Sequence, residues 1–132
     1  MILVDTSILV AWLDESHEDH LVCLQSLEYW AGREELAVSS VTYGELAAGG
    51  RTQQAVDEDL KLFKRVELDF QGAWRAGVAF GRSYPIGKDR KPVLPDFLIR
   101  GQAAAIGCKH LTNDRRRLGA FPDVDFVLPE TR

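Results

Sequence analysis

Cysteine is scarce in this chain: only Cys23 and Cys108 occur among 132 residues, and no Cys-x-x-Cys spacing is present. Both stand in apolar contexts, Leu21-Val22-Cys23-Leu24 and Ile106-Gly107-Cys108. That excludes a disulfide scaffold and a thiolate metal site, and fits small buried side chains in a reducing compartment. Long hydrophobic runs are missing too. Met1-Ile2-Leu3-Val4 is ended by Asp5, far short of the roughly 18 apolar residues of a membrane span and short of a signal-peptide core. A soluble, cytoplasmic protein with no membrane partner is expected. Nor is there an excess of positive charge: 20 acidic residues against 16 basic give a net −4, so overall charge makes no case for nucleic-acid binding. Repeats, low-complexity tracts and linkers are absent. With 45% hydrophobic residues, the length suits one core, and residues 1–132 are read as one domain.

What is present is an alternation of short apolar runs with helical periodicity. Ile2-Leu3-Val4 suits a strand buried on both faces, and Ile8 to Leu13 has helical spacing. Ser16-His17-Glu18-Asp19 has the form of a helix start, and Leu21, Cys23, Leu24, Leu27 and Trp30 continue a stripe ending at Gly32. Leu36 to Ser39 reads as a strand, Thr42 to Ala48 as a short helix stopped by Gly49-Gly50, and the segment after Arg51 as a polar helix. Val66-Glu67-Leu68 is a third strand candidate. Phe70 to Tyr84 predicts a helix that Pro85 ends, and Asp96 to Gly107 another, with Pro95 in its first turn. His110-Leu111-Thr112 and Phe126-Val127-Leu128 complete the set. Strands alternating with helices predict an α/β fold: a central, mostly parallel sheet of four or five strands between two helical layers.

Ligands of open parallel sheets bind beyond the carboxyl ends of the strands. Asp5 closes the first strand, Asp114 follows Leu111-Thr112, Glu45 follows a strand by a few residues on a helix's first turn, and Asp96 opens a helix. Each has a plainer account. Asp5 can cap the first helix, Thr42-Tyr43-Gly44-Glu45 matches a capping box, Asp96 is a first-turn acid, and Asn113-Asp114 is a turn pair. Four unrelated caps would not place all four acids at one edge. Carboxylates gathered there repel unless a cation sits between them, and oxygen ligands alone favour Mg²⁺ or Mn²⁺. Such an ion activates water and neutralises a scissile phosphate, which makes phosphodiester hydrolysis the natural reaction.

Asp5-Thr6-Ser7, Ser40-Val41-Thr42-Tyr43-Gly44-Glu45-Leu46, Leu94-Pro95-Asp96-Phe97-Leu98-Ile99 and Leu111-Thr112-Asn113-Asp114 occur in the order that resembles the PIN-domain family, most of all its VapC-type toxins. The likeness covers nearly the whole chain and implies a three-layer α/β/α PIN-like fold. It further implies a Mg²⁺- or Mn²⁺-dependent endoribonuclease, the toxin of a toxin–antitoxin pair, acting as a homodimer on RNA and restrained by a VapB-type antitoxin. In that likeness Asp5, Glu45, Asp96 and Asp114 are the catalytic, metal-holding acids, and Ser7, Thr112 and Asn113 are polar supports. Arg100-Gly101 after Ile99 and Leu118 after the last acid depart from the family pattern, at positions that bear on helix packing and substrate fit.

Arg115, Arg116 and Arg117, with Lys88, Arg90 and Lys91, are candidate RNA contacts, because an acidic protein needs local positive charge to hold a polyanion. His17, His20 and His110 are read as surface or packing residues, and Trp12, Trp30 and Trp74 as core or dimer contacts. A receiver domain lacks its acidic pair and late lysine here, a haloacid-type phosphatase lacks Asp-x-Asp, and no GxGxxG follows the first strand. The alternatives that stay open are another α/β phosphohydrolase and a PIN-like module that binds RNA or protein without cutting.

Overall fold

A computed structural model describes residues 1–87 and 91–130. Five strands, β1 (Ile2–Val4), β2 (Leu36–Ser39), β3 (Lys64–Val66), β4 (Lys109–Leu111) and β5 (Phe126–Val127), form one sheet in the order β3-β2-β1-β4-β5. Every pairing is parallel, with Leu3 opposite both Ala37 and His110. The three-layer α/β/α expectation is met.

The first strand occupies the centre, and side chains alternate across it as the pleat requires. Ile2 and Val4 join a core with Ile8 and Leu9 of α1 (Thr6–Leu13), Cys23 and Leu27 of α2 (His20–Ala31), Leu46 of α3 (Ser40–Ala48) and Val56 of α4 (Gln53–Asp59). Leu3 points the other way, toward Phe80 of α5 (Phe70–Ser83) and Phe97 and Ile99 of α6 (Pro95–Ile106). The continuous apolar run at residues 2–4 is thus a strand covered on both faces.

Helices α5 and α6 lie unusually close. A Cβ at Gly101 would stand 2.5 Å from the Gly72 carbonyl and 2.6 Å from the Ala76 nitrogen, inside contact distance of a neighbouring backbone. Glycine is what admits this approach. Gly107 ends α6 at φ 78°, the left-handed cap that favours glycine.

Several boundaries differ from expectation. Ser16 does not start α2: its hydroxyl donates to Asp14, the 14–19 segment is a series of turns, and the helix begins at His20. The cap of α3 is Ser39, which accepts from the Val41 N–H, so the Thr42–Glu45 capping box does not exist and Glu45 lies on the second turn. The third strand runs through Lys64–Val66, because Leu68 N–H turns away to Ser40 Oγ. Trp12 and Trp30 pack on the first core, whereas Trp74 is 71% exposed, which removes it from any core.

Candidate active site

The carboxyl ends of β1 and β4 adjoin, and a dense polar network joins the residues just beyond them. Asp5, only 3% exposed, caps α1 by accepting from the Ser7 N–H at 3.2 Å. Its Oδ2 also accepts from Ser7 Oγ at 2.5 Å and from Thr112 Oγ1 at 3.2 Å. Ser7 Oγ in turn accepts from the Asn113 N–H at 3.0 Å, and Thr112 Oγ1 from the Asp114 N–H at 3.1 Å. Asn113 Nδ2 reaches Asp19 Oδ2 at 3.0 Å and fastens the entry of α2 to the same loop. Asp5 therefore caps α1 and belongs to this polar network with one side chain.

All four acids line one open cleft of about 490 Å³: Asp5, Glu45, Asp96 and Asp114, beside Thr6, Ser7, His17, Asn113 and Arg116. Glu45 Oε1 accepts from Thr6 Oγ1 at 2.7 Å, and Thr42 Oγ1 stands 2.9 Å from the same hydroxyl. Asp96 opens α6 after Pro95, its Oδ1 accepting from the Phe97 N–H at 3.0 Å. Asp114 is held by Arg116, whose Nε and Nη2 each lie 3.0 Å from a carboxylate oxygen.

Electrostatics separates the acids. Burial would raise Asp5, but His110 and the Ser7 hydrogen bonds outweigh it and bring its pKa down to about 2. Glu45 moves the other way: burial raises it, the charges of Asp5 and Asp96 add to the rise, and the Thr6 hydrogen bond opposes them. Asp114 is lowered, chiefly by the Arg116 hydrogen bond. Because Glu45 senses both Asp5 and Asp96 across the cleft, the three charges share one space.

His110 is fully buried, with Nδ1 donating to the Leu3 carbonyl at 2.9 Å and Nε2 placed 3.6 Å from Asp5 Oδ1. Packing is only half of its role: His110 packs, and it also faces a site acid. Strand alternation puts His110 and Thr112 on one side of the strand and its extension, but it does not show that this side meets Asp5. Thr6 and Thr42 have no sequence signal, because nothing short of the fold shows that α1 and α3 meet.

Whether the donors suit a hard cation is answered by their chemistry. Four carboxylates and no sulfur line the cleft, and Asp5 Oδ1 is buried without a hydrogen bond. Among the described residues no three His, Cys, Asp or Glu side chains are, as arranged, gathered closely enough to hold a metal ion. As arranged, Asp114 faces Arg116 and Glu45 faces Thr6.

The PIN-domain family model matches residues 2–127. This chain belongs to the PIN-domain family. Solved structures that resemble this PIN domain include a toxin–antitoxin complex from Klebsiella pneumoniae, at 23% identity and TM-score 0.73, covering 98% of each chain. Another is VapBC2 from Rickettsia felis bound to a promoter DNA fragment, at 19% identity and TM-score 0.69, covering 97% of this chain and 98% of that one. FitAcB from Neisseria gonorrhoeae is similar at 23% identity and TM-score 0.66, covering 98% of each chain. At such identities the likeness establishes the fold. No curated protein sequence matches this PIN domain.

Of the basic candidates, Arg116 lines the cleft, Arg115 and Lys91 are exposed, and Arg117 places its guanidinium over the Tyr84 ring at 4.4 Å. Lys88 and Arg90 lie outside the described residues. No helix among the described residues is long and apolar enough to cross a membrane.

Proposed function

We propose that this PIN domain is a metal-dependent endoribonuclease and the toxin half of a toxin–antitoxin pair. The observation that carries the reading is that Asp5, Glu45, Asp96 and Asp114, drawn from four separate segments, line one cleft. Asp5 and Asp96 would hold Mg²⁺ or Mn²⁺ directly, with Asp114 and Glu45 completing the shell. When bound, the ion supplies charge neutralisation at the scissile phosphate and a more acidic water. The chain's own contributions differ by residue. Glu45, with its raised affinity for a proton, is suited to accept one from the attacking water. Asp114 is the poorer acceptor, because Arg116 holds it ionised. Ser7 and Thr112 hold Asp5 in place, and His110 and Ser7 keep it charged. Arg115, Arg116 and Arg117, with Lys88, Arg90 and Lys91, are proposed to guide the RNA backbone.

Restraint by a VapB-type antitoxin is supported by the neighbour described as a toxin–antitoxin complex, by the VapBC2 neighbour and by an apolar groove of about 660 Å³ between α1, α2 and α4. Trp12, Leu27, Leu62 and Phe63 line it, with Glu28, Glu35, Glu58 and Asp59 around them. A segment with apolar anchors and basic flanks suits such a surface. A homodimer is supported by Phe70, Trp74 and Val78, an exposed apolar stripe at every fourth residue of α5. An enzyme acting on cellular RNA belongs in the cytoplasm.

The test is cleavage of a structured RNA by wild type, Asp5→Asn, Glu45→Gln, Asp96→Asn and Asp114→Asn, in Mg²⁺, Mn²⁺ or EDTA. Each single change is expected to remove most activity, and a second to add little, because the acids work as a unit. Cleavage that survives both EDTA and Asp96→Asn would sink the reading.

A further inference from the structure

Helix α6 carries Asp96 in its first turn and, one turn later, Arg100, whose side chain is fully buried. Arginine is almost never fully buried without a charged partner. Among the described residues the hydrogen bonds of Arg100 go instead to backbone carbonyls: Nη1 donates to the Arg116 oxygen at 2.7 Å and Nη2 to the Asp114 oxygen at 3.1 Å. The guanidinium also lies 5.4 Å from the centre of the Phe126 ring, and its Nε has no partner.

Packing alone does not call for arginine here. An apolar side chain of similar length would occupy the space without desolvating a charge, and such replacements are often neutral or stabilising. What an apolar side chain cannot do is bridge two carbonyls of one turn. The planar fork of arginine does so with two fixed donors, which lysine lacks. The turn it grips is the one bearing Asp114, whose own N–H is already held by Thr112 Oγ1 at 3.1 Å. Both peptide groups flanking the Asp114 Cα are therefore pinned, one from Thr112 just past β4 and one from Arg100 of α6.

We propose that Arg100 is a positioning residue for the acidic cleft: by clamping the Asp114 and Arg116 carbonyls, it sets the Asp114 carboxylate relative to Asp96 on its own helix. The link is short and rigid, four residues of α6 followed by one side chain. It also accounts for the departure from the family pattern at this position. The value of Asp114 to catalysis rests on the function proposed above, whereas the clamp does not.

Arg100→Met and Arg100→Lys, with wild type beside them, provide the test through three readouts: thermal unfolding, Mn²⁺ affinity by calorimetry, and amide hydrogen exchange at residues 114–116 against that of α6. A positioning role predicts that Arg100→Met folds and melts near wild type. Its Mn²⁺ affinity should fall about tenfold or more, the usual scale for losing a group that orients a ligand, and exchange should quicken at residues 114–116 but not along α6. Arg100→Lys, keeping the charge without the fork, should show the same two changes, and it decides the matter if the methionine variant does not fold. Wild-type exchange and wild-type Mn²⁺ affinity in a folded variant, with only the melting temperature altered, would overturn the proposal. If wild type itself took up no Mn²⁺, the metal reading of the cleft would fail, and the exchange comparison would still decide whether Arg100 orders the turn.

Discussion

The acidic cleft and the apolar groove between α1, α2 and α4 are both open hollows of similar size, yet they are built by opposite means. In the cleft, polar side chains are buried and tied to one another: Asp5 takes three hydrogen bonds from Ser7 and Thr112, and Asn113 and Asp114 are fastened through the same hydroxyls. In the groove, apolar side chains are left out in solvent, Leu62 to 86%. Acids stand around it, several paired with nearby cations, as Glu58 is with Lys61 and Glu35 with Lys64. One surface spends its polar groups on internal order and so can present a fixed charge pattern; the other stays uncommitted, which suits a partner that brings its own order.

Three changes test that contrast. The largest effect is expected from Asp5→Asn, which, on the function proposed above, should reduce RNA cleavage by about 100-fold or more while leaving antitoxin affinity nearly unchanged, since the charge proposed to hold the metal is lost. Cleavage assays and a pull-down with the antitoxin measure the two sides, and parallel losses would mean that the two hollows are one functional surface. Leu62→Asp should do the reverse. Placing a charge among apolar anchors should weaken antitoxin binding roughly tenfold or more, with cleavage by the free protein as in wild type, and full binding would remove the groove from the antitoxin site.

The smallest effect is expected from Glu45→Gln in metal-free protein. Because the folded protein raises the Glu45 pKa above its ordinary 4.5, its ionisation works against folding. That penalty is absent below about pH 4.5 and grows as pH rises through the raised value. The glutamine variant, still able to accept from Thr6, should therefore melt slightly higher than wild type at pH 7 and the same at pH 4. A lower melting temperature at pH 7 would show that burial and the neighbouring carboxylates do not disfavour the ionised Glu45.

The sheet is readable because its signals are local. Ile2-Leu3-Val4 is apolar at every position, and only a strand covered on both faces uses such a run so close to an acid. Asp5, Asp96 and Asp114 are readable for a related reason, since a strand end or helix start determines where the residue goes. Glu45 is a harder case. The capping box at Thr42 is formally present, but Ser39 stands nearer the strand end and takes the cap, leaving Thr42 to be buried against Thr6. His110 and Arg100 cannot be read as they are used. Each acts across a contact between segments distant in the chain, His110 on Asp5 and Arg100 on the turn after β4, and no periodicity encodes that pairing. The third strand is displaced by two residues for the same reason, its register being set by β2 rather than by its own composition.

Because β1 lies at the middle of a parallel sheet, its neighbour on one side is β4, and the bond from Thr112 to Asp5 joins residues 107 positions apart. Contacts of such separation close late in folding. During synthesis Asp5 leaves the ribosome long before the strand that completes its surroundings exists. A growing chain thus holds Asp5 without Thr112, Asn113 or Asp114. On the function proposed above, the order of translation would leave the early chain unable to assemble the acidic cleft.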